Sequence, residues 1–412
     1  WGLGIGIVGI LTAILAPVLG AIADRAGGRM VFIGFFSVLY VPGAWGVWYA
    51  APGAPNLFLV MVSFGIGLAA MEFATIFTNA MLPDLGTKSE LGRISGSGWA
   101  FGYVGGLISL ILMLVLFAEQ ATTGRTMIGI EPLFGLALDP AAREGTRAVG
   151  PFTAIWYAVF MIPFFLWVRD VPREHRLTAS EAVRRALPEL KQSLLRLPKH
   201  KSLFRYLIAS MLYRDALNGI YVFGGIYASG VLGWSVVQIG IFGILTVISG
   251  AVFAWLGGLA DSRFGPKPVI LVTVGLLALV CWAVTMVSRG AVFGMTVAET
   301  SALPDIVFYV IGMLIGAAGG ALQSASRTML VRQADPRRMT EAFGLFALTG
   351  KATSFIAPLA IAGATWATGS QQAGIVPLIF LFLIGFVVML RVGADGDHAT
   401  APQTAAEARS EA

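Results

Sequence analysis

The sequence predicts an all-α polytopic membrane protein made of two parallel repeats, and its composition is the first of two reasons. Of its 412 residues, 57% are hydrophobic and 12% are charged, whereas an ordinary soluble domain has about 25% charged residues. The mean hydropathy is +0.81. Spanning helices tolerate the 51 glycines better than soluble helices do. The single cysteine, Cys281, excludes disulfides and a thiolate metal cluster.

The second reason is a short motif that occurs twice, each time at the end of an apolar run. In both copies a glycine precedes an aspartate by four residues, and a further glycine and a basic residue follow. We call these copies the first and second signature motifs. Their defining residues are Gly20, Asp24, Arg25 and Arg29 in the first, and Gly257, Asp261 and Arg263 in the second. A repeated motif in so apolar a chain indicates a duplicated membrane protein.

Spanning helices are predicted from the apolar runs, because a helix needs about 20 apolar residues to cross a bilayer. Eleven segments meet this requirement. They run over 1–23, 30–50, 57–82, 94–117, 150–168, 204–229, 235–259, 268–288, 303–326, 340–366 and 372–392. A polar stretch at 169–203 separates five helices from six.

The signature motifs resemble the loop between helices 2 and 3, and again between helices 8 and 9, of major facilitator superfamily transporters. The resemblance implies two six-helix parallel repeats with a substrate site between them. In this chain the first motif follows the first span, and the chain begins with Trp1 inside a span. We therefore expect helix 1 of the first repeat to be absent from this chain, and we number the predicted helices 2 to 12.

The expected organisation has four parts. An N-terminal bundle of helices 2–6 occupies 1–168, a cytoplasmic linker 169–203, a C-terminal bundle of helices 7–12 occupies 204–392, and a disordered tail 393–412. The linker contains a capping box at Thr178 and Glu181. Apolar residues then recur at helical spacing: Val183, Leu187, Leu190, Leu194 and Leu197. This amphipathic helix either lies on the cytoplasmic membrane surface or packs under the bundle.

The basic residues are distributed unevenly between the two ends of the predicted spans. Twenty Lys and Arg residues lie on the side of the signature motifs and four on the opposite side. The positive-inside rule then places the signature motifs and the C-terminus in the cytoplasm. Because the basic residues sit in short loops between spans, the net charge of +6 does not indicate nucleic acid as a partner.

A second repeated segment supports the duplication. Asn79-Ala-Met-Leu-Pro-Asp84 ends helix 4, and Arg327-Thr-Met-Leu-Val-Arg332 ends helix 10. Their Met-Leu pairs are offset by 248 residues, whereas Asp24 and Asp261 are offset by 237. A longer connection between helices 9 and 10 accounts for the difference.

Further segments are similar to one family of the superfamily, the "unknown major facilitator" family, which includes the autophagy-related vacuolar amino-acid effluxers of fungi. They are Asn79–Asp84 with Gly92–Gly106, Asp215–Tyr227, and Phe343–Ser354. The resemblance implies efflux of amino acids, mainly neutral ones. The second signature motif departs from the usual pattern, with Ser262 in place of arginine and Gly265 one position late.

Ionisable residues inside spans are costly and usually functional, and four occur here: Glu72, Arg214, Asp215 and Lys351. We expect a pairing of Asp215 or Glu72 with Lys351 or Arg214. Such a pair either couples protons to a substrate, when the carboxylate is protonated in one state, or is a permanent structural link. Because all three histidines lie outside the spans, coupling would fall to Asp215 or Glu72.

Three polar residues complete the predicted substrate site. Asn218 is expected to share a helix face with Asp215, and Asn79 with Glu72. Gln323 on helix 10 either hydrogen-bonds a small zwitterion or bonds to a neighbouring helix. The residues of the signature motifs are predicted to form a gate, because an aspartate at a helix N-terminus is stabilised by the helix dipole.

The sequence thus predicts a secondary active transporter of a small polar solute, with amino acids as substrate and protons as coupling ion. It has no Walker A loop, metal-ligand cluster or nucleophile motif, so no cofactor and no enzymatic activity are expected. We expect a monomer in the bacterial plasma membrane. A sugar or drug carrier of the same fold is the alternative within transport, and a non-transporting receptor or scaffold is the alternative of another class.

Overall fold

The computed structural model describes residues 2–53, 56–120, 123–135, 138–171 and 177–397. Helices dominate, because a chain in a bilayer must satisfy its backbone hydrogen bonds internally. The helices are α1 Gly2–Ala26, α2 Arg29–Trp45, α3 Leu57–Ala80, α4 Leu91–Leu112, α5 Glu144–Arg147, α6 Val149–Trp167, α7 Ala179–Arg196, α8 Lys201–Gly230, α9 Val236–Phe264, α10 Pro266–Thr285, α11 Leu303–Gln333, α12 Met339–Ala352, α13 Ile356–Thr368, α14 Gln371–Gly374 and α15 Val376–Leu390. Three two-residue strands, β1 Val287–Ser288, β2 Ala291–Val292 and β3 Met295–Thr296, form an antiparallel meander.

Within the described residues, ten helical segments are long and apolar enough to cross a membrane. They overlap ten of the eleven predicted spans. The largest differences are at the start of Glu144–Trp167, predicted at 150, and at the end of Leu303–Gln333, predicted at 326. The eleventh, α8, has 30 residues and is long enough to cross. It is more polar than the others because it carries Lys201, Arg205, Arg214 and Asp215.

The predicted span 340–366 is broken in the middle, where the sequence predicts one continuous helix. Its two parts, α12 and α13, are separated by Thr353–Phe355. Ser354 Oγ donates to the carbonyl of Lys351 at 3.0 Å, which satisfies one acceptor at the end of α12. Lys351 therefore lies in the last turn of α12 rather than in a helix interior.

The first-half helices (α1–α6) and the second-half helices (α8–α15) touch mainly through two pairs, α1 with α12 and α4 with α9. Glycine makes both contacts possible. A Cβ atom on Gly20 of α1 would lie 2.5 Å from the Thr340 carbonyl oxygen, and one on Gly96 of α4 would lie 2.6 Å from Gly258 Cα. Both contacts lie near the signature motifs, so the two halves meet at that end of the molecule.

The linker helix α7 begins with the predicted capping box, in which Thr178 and Glu181 bond each other's backbone amides. It packs under the bundle against α1 through small residues, with Ala182, Ala186 and Leu190 buried. The predicted apolar face is only partly used, because Val183, Leu187 and Leu194 remain exposed.

The predicted disordered tail starts too early. Gly393 N donates to Ser202 Oγ at 2.9 Å, and the Asp397 carboxylate accepts from Ser202 N at 3.0 Å. Arg332 and Asp395 form an ion pair at 3.3 Å. Residues 393–397 thus cover the start of α8, while 398–412 lie outside the described residues.

Candidate functional site

A cavity of about 970 Å³ lies between the two halves. On α1 it is lined by residues from Ile5 to Ile14, whereas Ala16 and the first residue of the first signature motif, Gly20, pack against α12. The cavity is therefore closed toward the signature motifs and extends toward the opposite side. Helices α3, α4, α8, α11 and α12 supply most of its other walls.

An ion pair crosses this cavity from one half to the other. Lys351 Nζ of α12 lies 2.6 Å from Glu72 Oε1 of α3, and both side chains are partly accessible. Of the pairings that the sequence predicts, this is the one the structure contains. Because the pair joins α3 to the broken helix, it is placed to respond to relative movement of the halves.

Arg214 and Asn218 of α8 line the same cavity. The Arg214 guanidinium donates to the Phe346 carbonyl at 2.8 Å and lies 4.0 Å from the centre of the Phe346 ring. Arg214 and Asn218 are four residues apart in α8, about one helical turn, which brings them to one face of the helix. Arg214 is thus fixed against α12, on the face that carries Asn218.

Asp215 lies outside this cavity, which corrects the prediction that it shares the site face with Asn218. Its side chain is buried and turned toward the break between α12 and α13, where Oδ2 accepts from Ala357 N at 3.0 Å. It therefore serves as the acceptor for the first turn of α13, a position that helix dipoles favour for a carboxylate.

We expect Asp215→Ala to lower the unfolding free energy by about 1–3 kcal/mol, because the Ala357 amide would be left buried without its acceptor. Asp215→Asn keeps a carbonyl oxygen and should cost less. Thermal unfolding of both variants in detergent measures the difference, and equal melting temperatures for all three proteins would contradict the assigned role.

The end of the cavity nearest the signature motifs is built around Arg327 of α11. Its guanidinium donates to Asn79 Oδ1 at 2.9 Å, to Ser95 Oγ at 3.1 Å and to the Ser95 carbonyl at 2.6 Å. All three acceptors belong to the first half. Gln323 makes a longer contact with the same half, 3.4 Å to Tyr103 Oη.

Arg327 is not among the predicted site residues, because the predicted span ends at 326, whereas α11 continues to Gln333. The signal was nevertheless present. Asn79 and Arg327 are separated by 248 residues, the offset of the repeated Met-Leu segments. They occupy equivalent positions in the two repeats, and equivalent residues meet where they lie close to the axis that relates the repeats.

Replacing Arg327 with methionine should destabilise the closed end, because Asn79 and Ser95 would lose a charged donor. We expect a loss of about 1–3 kcal/mol, measured as a lower melting temperature. Arg263→Met is the matched control, since Arg263 is exposed and its guanidinium lies over the ring of the adjacent Phe264. Equal destabilisation by the two changes would contradict the bridging role of Arg327.

The first signature motif binds the start of α12. Asp24 accepts from Thr340 Oγ1 at 2.7 Å and from Glu341 N at 2.8 Å. Arg29 donates to Thr340 Oγ1 at 3.1 Å and to Asp84 at 2.7 Å. Asp24 thus occupies the helix N-terminus expected of a gate residue.

Arg25 of the same motif connects to the linker helix. Its Nε donates to Glu189 Oε2 at 3.0 Å, and Arg338, between α11 and α12, lies 3.7 Å from the same carboxylate. The hydrogen bond from Arg25 lowers the pKa of the Glu189 carboxyl below its ordinary value. The link therefore stays charged at neutral pH and weakens only as the pH falls through this lowered pKa.

The second signature motif contacts the first half through only part of its defining residues. Gly257 packs on Ala321 of its own half, buried Asp261 accepts from Thr328 Oγ1 of its own half, and Arg263 is exposed. The contact with the first half is made by Asp261, which lies against Gly92, and by the residues one position later in the motif, since Gly258 meets Gly96 and Ser262 Oγ accepts from Arg93 N at 2.8 Å. Ser262, which stands where the usual motif has arginine, thus forms a contact with the first half.

Charge is unequal among the residues that line the cavity. Among the described residues of the lining, Arg214, Arg327 and Lys351 bring three cations against the single carboxylate of Glu72. Charges of one sign in a low-dielectric cleft concentrate ligands of the opposite sign. The arrangement therefore suits a small molecule with an anionic group.

Comparison with known proteins agrees with the fold. The family model described as "Vacuole effluxer Atg22 like" matches residues 3–401. The "Uncharacterized MFS-type transporter YxiO" of Bacillus subtilis (strain 168) is 26% identical over 392 residues, which is 94% of this chain and 83% of the relative.

A fungal relative and a solved structure extend the comparison. "Autophagy-related protein 22" of Cryptococcus neoformans is 25% identical over 325 residues, 77% of this chain and 53% of the relative, so the chain spans about half the length of that protein. The crystal structure of the transporter FucP in the outward conformation superposes with a TM-score of 0.70 at 15% identity, over 95% of this chain and 89% of that chain. The chain therefore belongs to the vacuole effluxer Atg22-like family, and it is a multi-pass membrane transporter with the major facilitator fold.

Proposed function

We propose that this protein transports amino acids by proton-coupled alternating access, with Lys351 as the group that binds the substrate carboxylate. The observation that carries the proposal is the 2.6 Å ion pair between Lys351 and Glu72 in the central cavity. Both charges lie within candidate spans, where an ionisable side chain is costly unless it is paired. A second carboxylate that enters the cavity competes with Glu72 for Lys351.

Coupling to protons follows from this competition. When the substrate carboxylate binds Lys351, Glu72 loses its ion-pair partner and is left with an unpaired charge inside a candidate span. Taking up a proton removes that charge. Substrate and proton then bind together, Glu72 releases its proton when it pairs with Lys351 again, and a pH gradient drives substrate accumulation.

The remaining groups of the cavity fit a zwitterion. Arg214 adds a second cation near α12, while Asn218 and Gln323 supply amide oxygens that can accept from a substrate ammonium group. The cation excess also suits an organic anion without an amino group, which is the second candidate. The description of the family as vacuole effluxers supports an amino-acid substrate only by analogy with its fungal members.

The orientation is proposed from the charge distribution. With the signature motifs and C-terminus in the cytoplasm, the cavity faces outward and its closed end faces inward. In a bacterial plasma membrane the external face corresponds to the lumenal face of a vacuole. Movement out of a vacuole is then equivalent to uptake into the bacterial cell, with protons carried in the same direction.

Counterflow in proteoliposomes tests the proposal. Proteoliposomes that contain the purified full chain are loaded with one unlabelled compound at a time and assayed with its labelled form, for a panel of amino acids, one sugar and one carboxylate without an amine. Each assay is done with and without a pH gradient. Saturable amino-acid exchange that becomes accumulation under a gradient is expected. Exchange restricted to the sugar or to the amine-free anion would contradict an amino-acid substrate. Absence of all exchange in folded protein would favour a receptor.

A further inference from the structure

The linker helix α7 carries an apolar stripe that the protein does not cover. Val183, Leu187 and Leu194 are 53%, 60% and 42% exposed, and their spacing places them on one helix face. The stripe adjoins the buried face of Ala182, Ala186 and Leu190. α7 is therefore packed along one side and open along the next, which a helix wholly enclosed by the bundle would not be.

Basic side chains border this stripe on its outer edge. Arg184 and Lys191 follow Val183 by one and eight residues, which places both about 80–100° around the helix from it. Both are exposed, as are Arg185 and Arg196 farther round. The two acidic residues of α7 are already engaged, Glu181 in the capping box and Glu189 with Arg25. The open side thus combines apolar and positive surface.

The depth of α7 is fixed by its link to α1. Leu177 N, just before the helix, donates to the carbonyl of Arg25 at 3.2 Å. Arg25 is the penultimate residue of the candidate span Gly4–Ala26, so α7 starts at the level where α1 leaves the apolar core. This is the level of the lipid headgroups, where an amphipathic helix places its apolar side toward the acyl chains and its basic residues among the phosphates.

We propose that α7 is an anionic-lipid-binding element, with the apolar stripe among the acyl chains and Arg184 and Lys191 on lipid phosphates. Charge complementarity selects this occupant, because the negative surface potential of a leaflet attracts basic residues at its surface. A second copy of the chain would gain nothing from the four exposed cations, which would repel their equivalents.

Lipid binding at α7 would reach the closed end of the cavity through contacts on its inner side. Glu189 bonds Arg25 of the first signature motif, and Ser193 Oγ accepts from Arg338 at 2.6 Å. One helix therefore joins α1 to the connection before α12. Anionic lipid that holds α7 in place favours the conformation in which these two elements are together.

Depth-dependent quenching tests the proposal. In a Cys281→Ser background, L187C and L194C are labelled with an environment-sensitive fluorophore and reconstituted in phosphatidylcholine, with or without phosphatidylglycerol, containing brominated acyl chains. Q192C, on the same helix but turned away from the stripe, is the matched control. We expect quenching at 187 and 194 and little at 192, and an increase on adding phosphatidylglycerol that R184Q/K191Q removes.

Several outcomes would overturn the proposal. Equal quenching at all three positions, or none at 187 and 194, would show that the stripe does not enter the bilayer. Quenching that does not depend on phosphatidylglycerol would exclude an anionic headgroup as the ligand of α7. Emission at 187 that depends on protein density and not on brominated lipid would identify a second copy as the occupant.

Discussion

Replacing Lys351 with alanine is expected to weaken binding of a carboxylate substrate roughly 10–100-fold. A hydrogen bond to a charged group contributes about 1.5–3 kcal/mol, and each 1.4 kcal/mol is a tenfold change in affinity. Lys351→Arg keeps the charge and should retain most of the affinity, although the planar guanidinium does not reproduce the position of Nζ. Concentration dependence of counterflow measures the change.

Changing Glu72, the ion-pair partner of Lys351, distinguishes substrate binding from proton coupling. Glu72→Gln removes the group that competes with the substrate for Lys351, so affinity should be equal or higher. It also removes the proton acceptor, and accumulation driven by a pH gradient should be lost while counterflow continues. Lys88→Ala, an exposed lysine outside the cavity, is the control. Unchanged affinity in Lys351→Ala, or gradient-driven accumulation by Glu72→Gln, would contradict the assigned roles.

Charges are rare in spanning helices and must find partners there, so the sequence predicts a pairing of Asp215 or Glu72 with Lys351 or Arg214. It does not select Glu72 with Lys351 among these pairs, and it does not predict the position of Asp215. Residues three apart on a helix are about 60° apart and residues four apart about 40°, so either Asp215 or Arg214 was able to share a face with Asn218. The choice depended on the break after α12, which exposes the Ala357 amide to Asp215. Pro358, in the first turn of α13, is the sequence signal for that break, because proline lacks the N–H that a continuous helix would need there.

At the closed end of the cavity, the sequence pattern predicts the contact residues of the first signature motif better than those of the second. Periodicity places Gly20 and Asp24 at the end of α1, and the structure puts both against α12. In the second motif the same periodicity selects Gly257 and Asp261. Asp261 does lie against Gly92 of α4, but Gly258 rather than Gly257 meets Gly96, and Ser262 joins the contact. A rotation of about 100° per residue is set by packing between helices distant in sequence, and a local motif does not encode it.

Replacing Gly96 with valine is expected to open the end that carries the signature motifs. A Cβ atom on Gly96 would lie 2.6 Å from both the Ala254 carbonyl oxygen and Gly258 Cα, so α4 and α9 must separate. Overpacking of this kind costs about 1–3 kcal/mol, which changes the ratio of closed to open protein about 5- to 150-fold. Spin labels at Lys88 and Phe264, both exposed and on opposite halves, should report a longer distance in pulsed dipolar measurements.

Gly102→Val is the matched control, since it adds the same side chain to the same helix at a glycine with open space around its Cβ position. Its distance distribution should remain that of the unaltered protein, and Gly96→Ala should lie between the two. An unchanged distance in folded Gly96→Val would mean that the glycine contact does not hold this end closed. A longer distance together with lost counterflow would show that transport requires α4 and α9 to come together at this glycine pair.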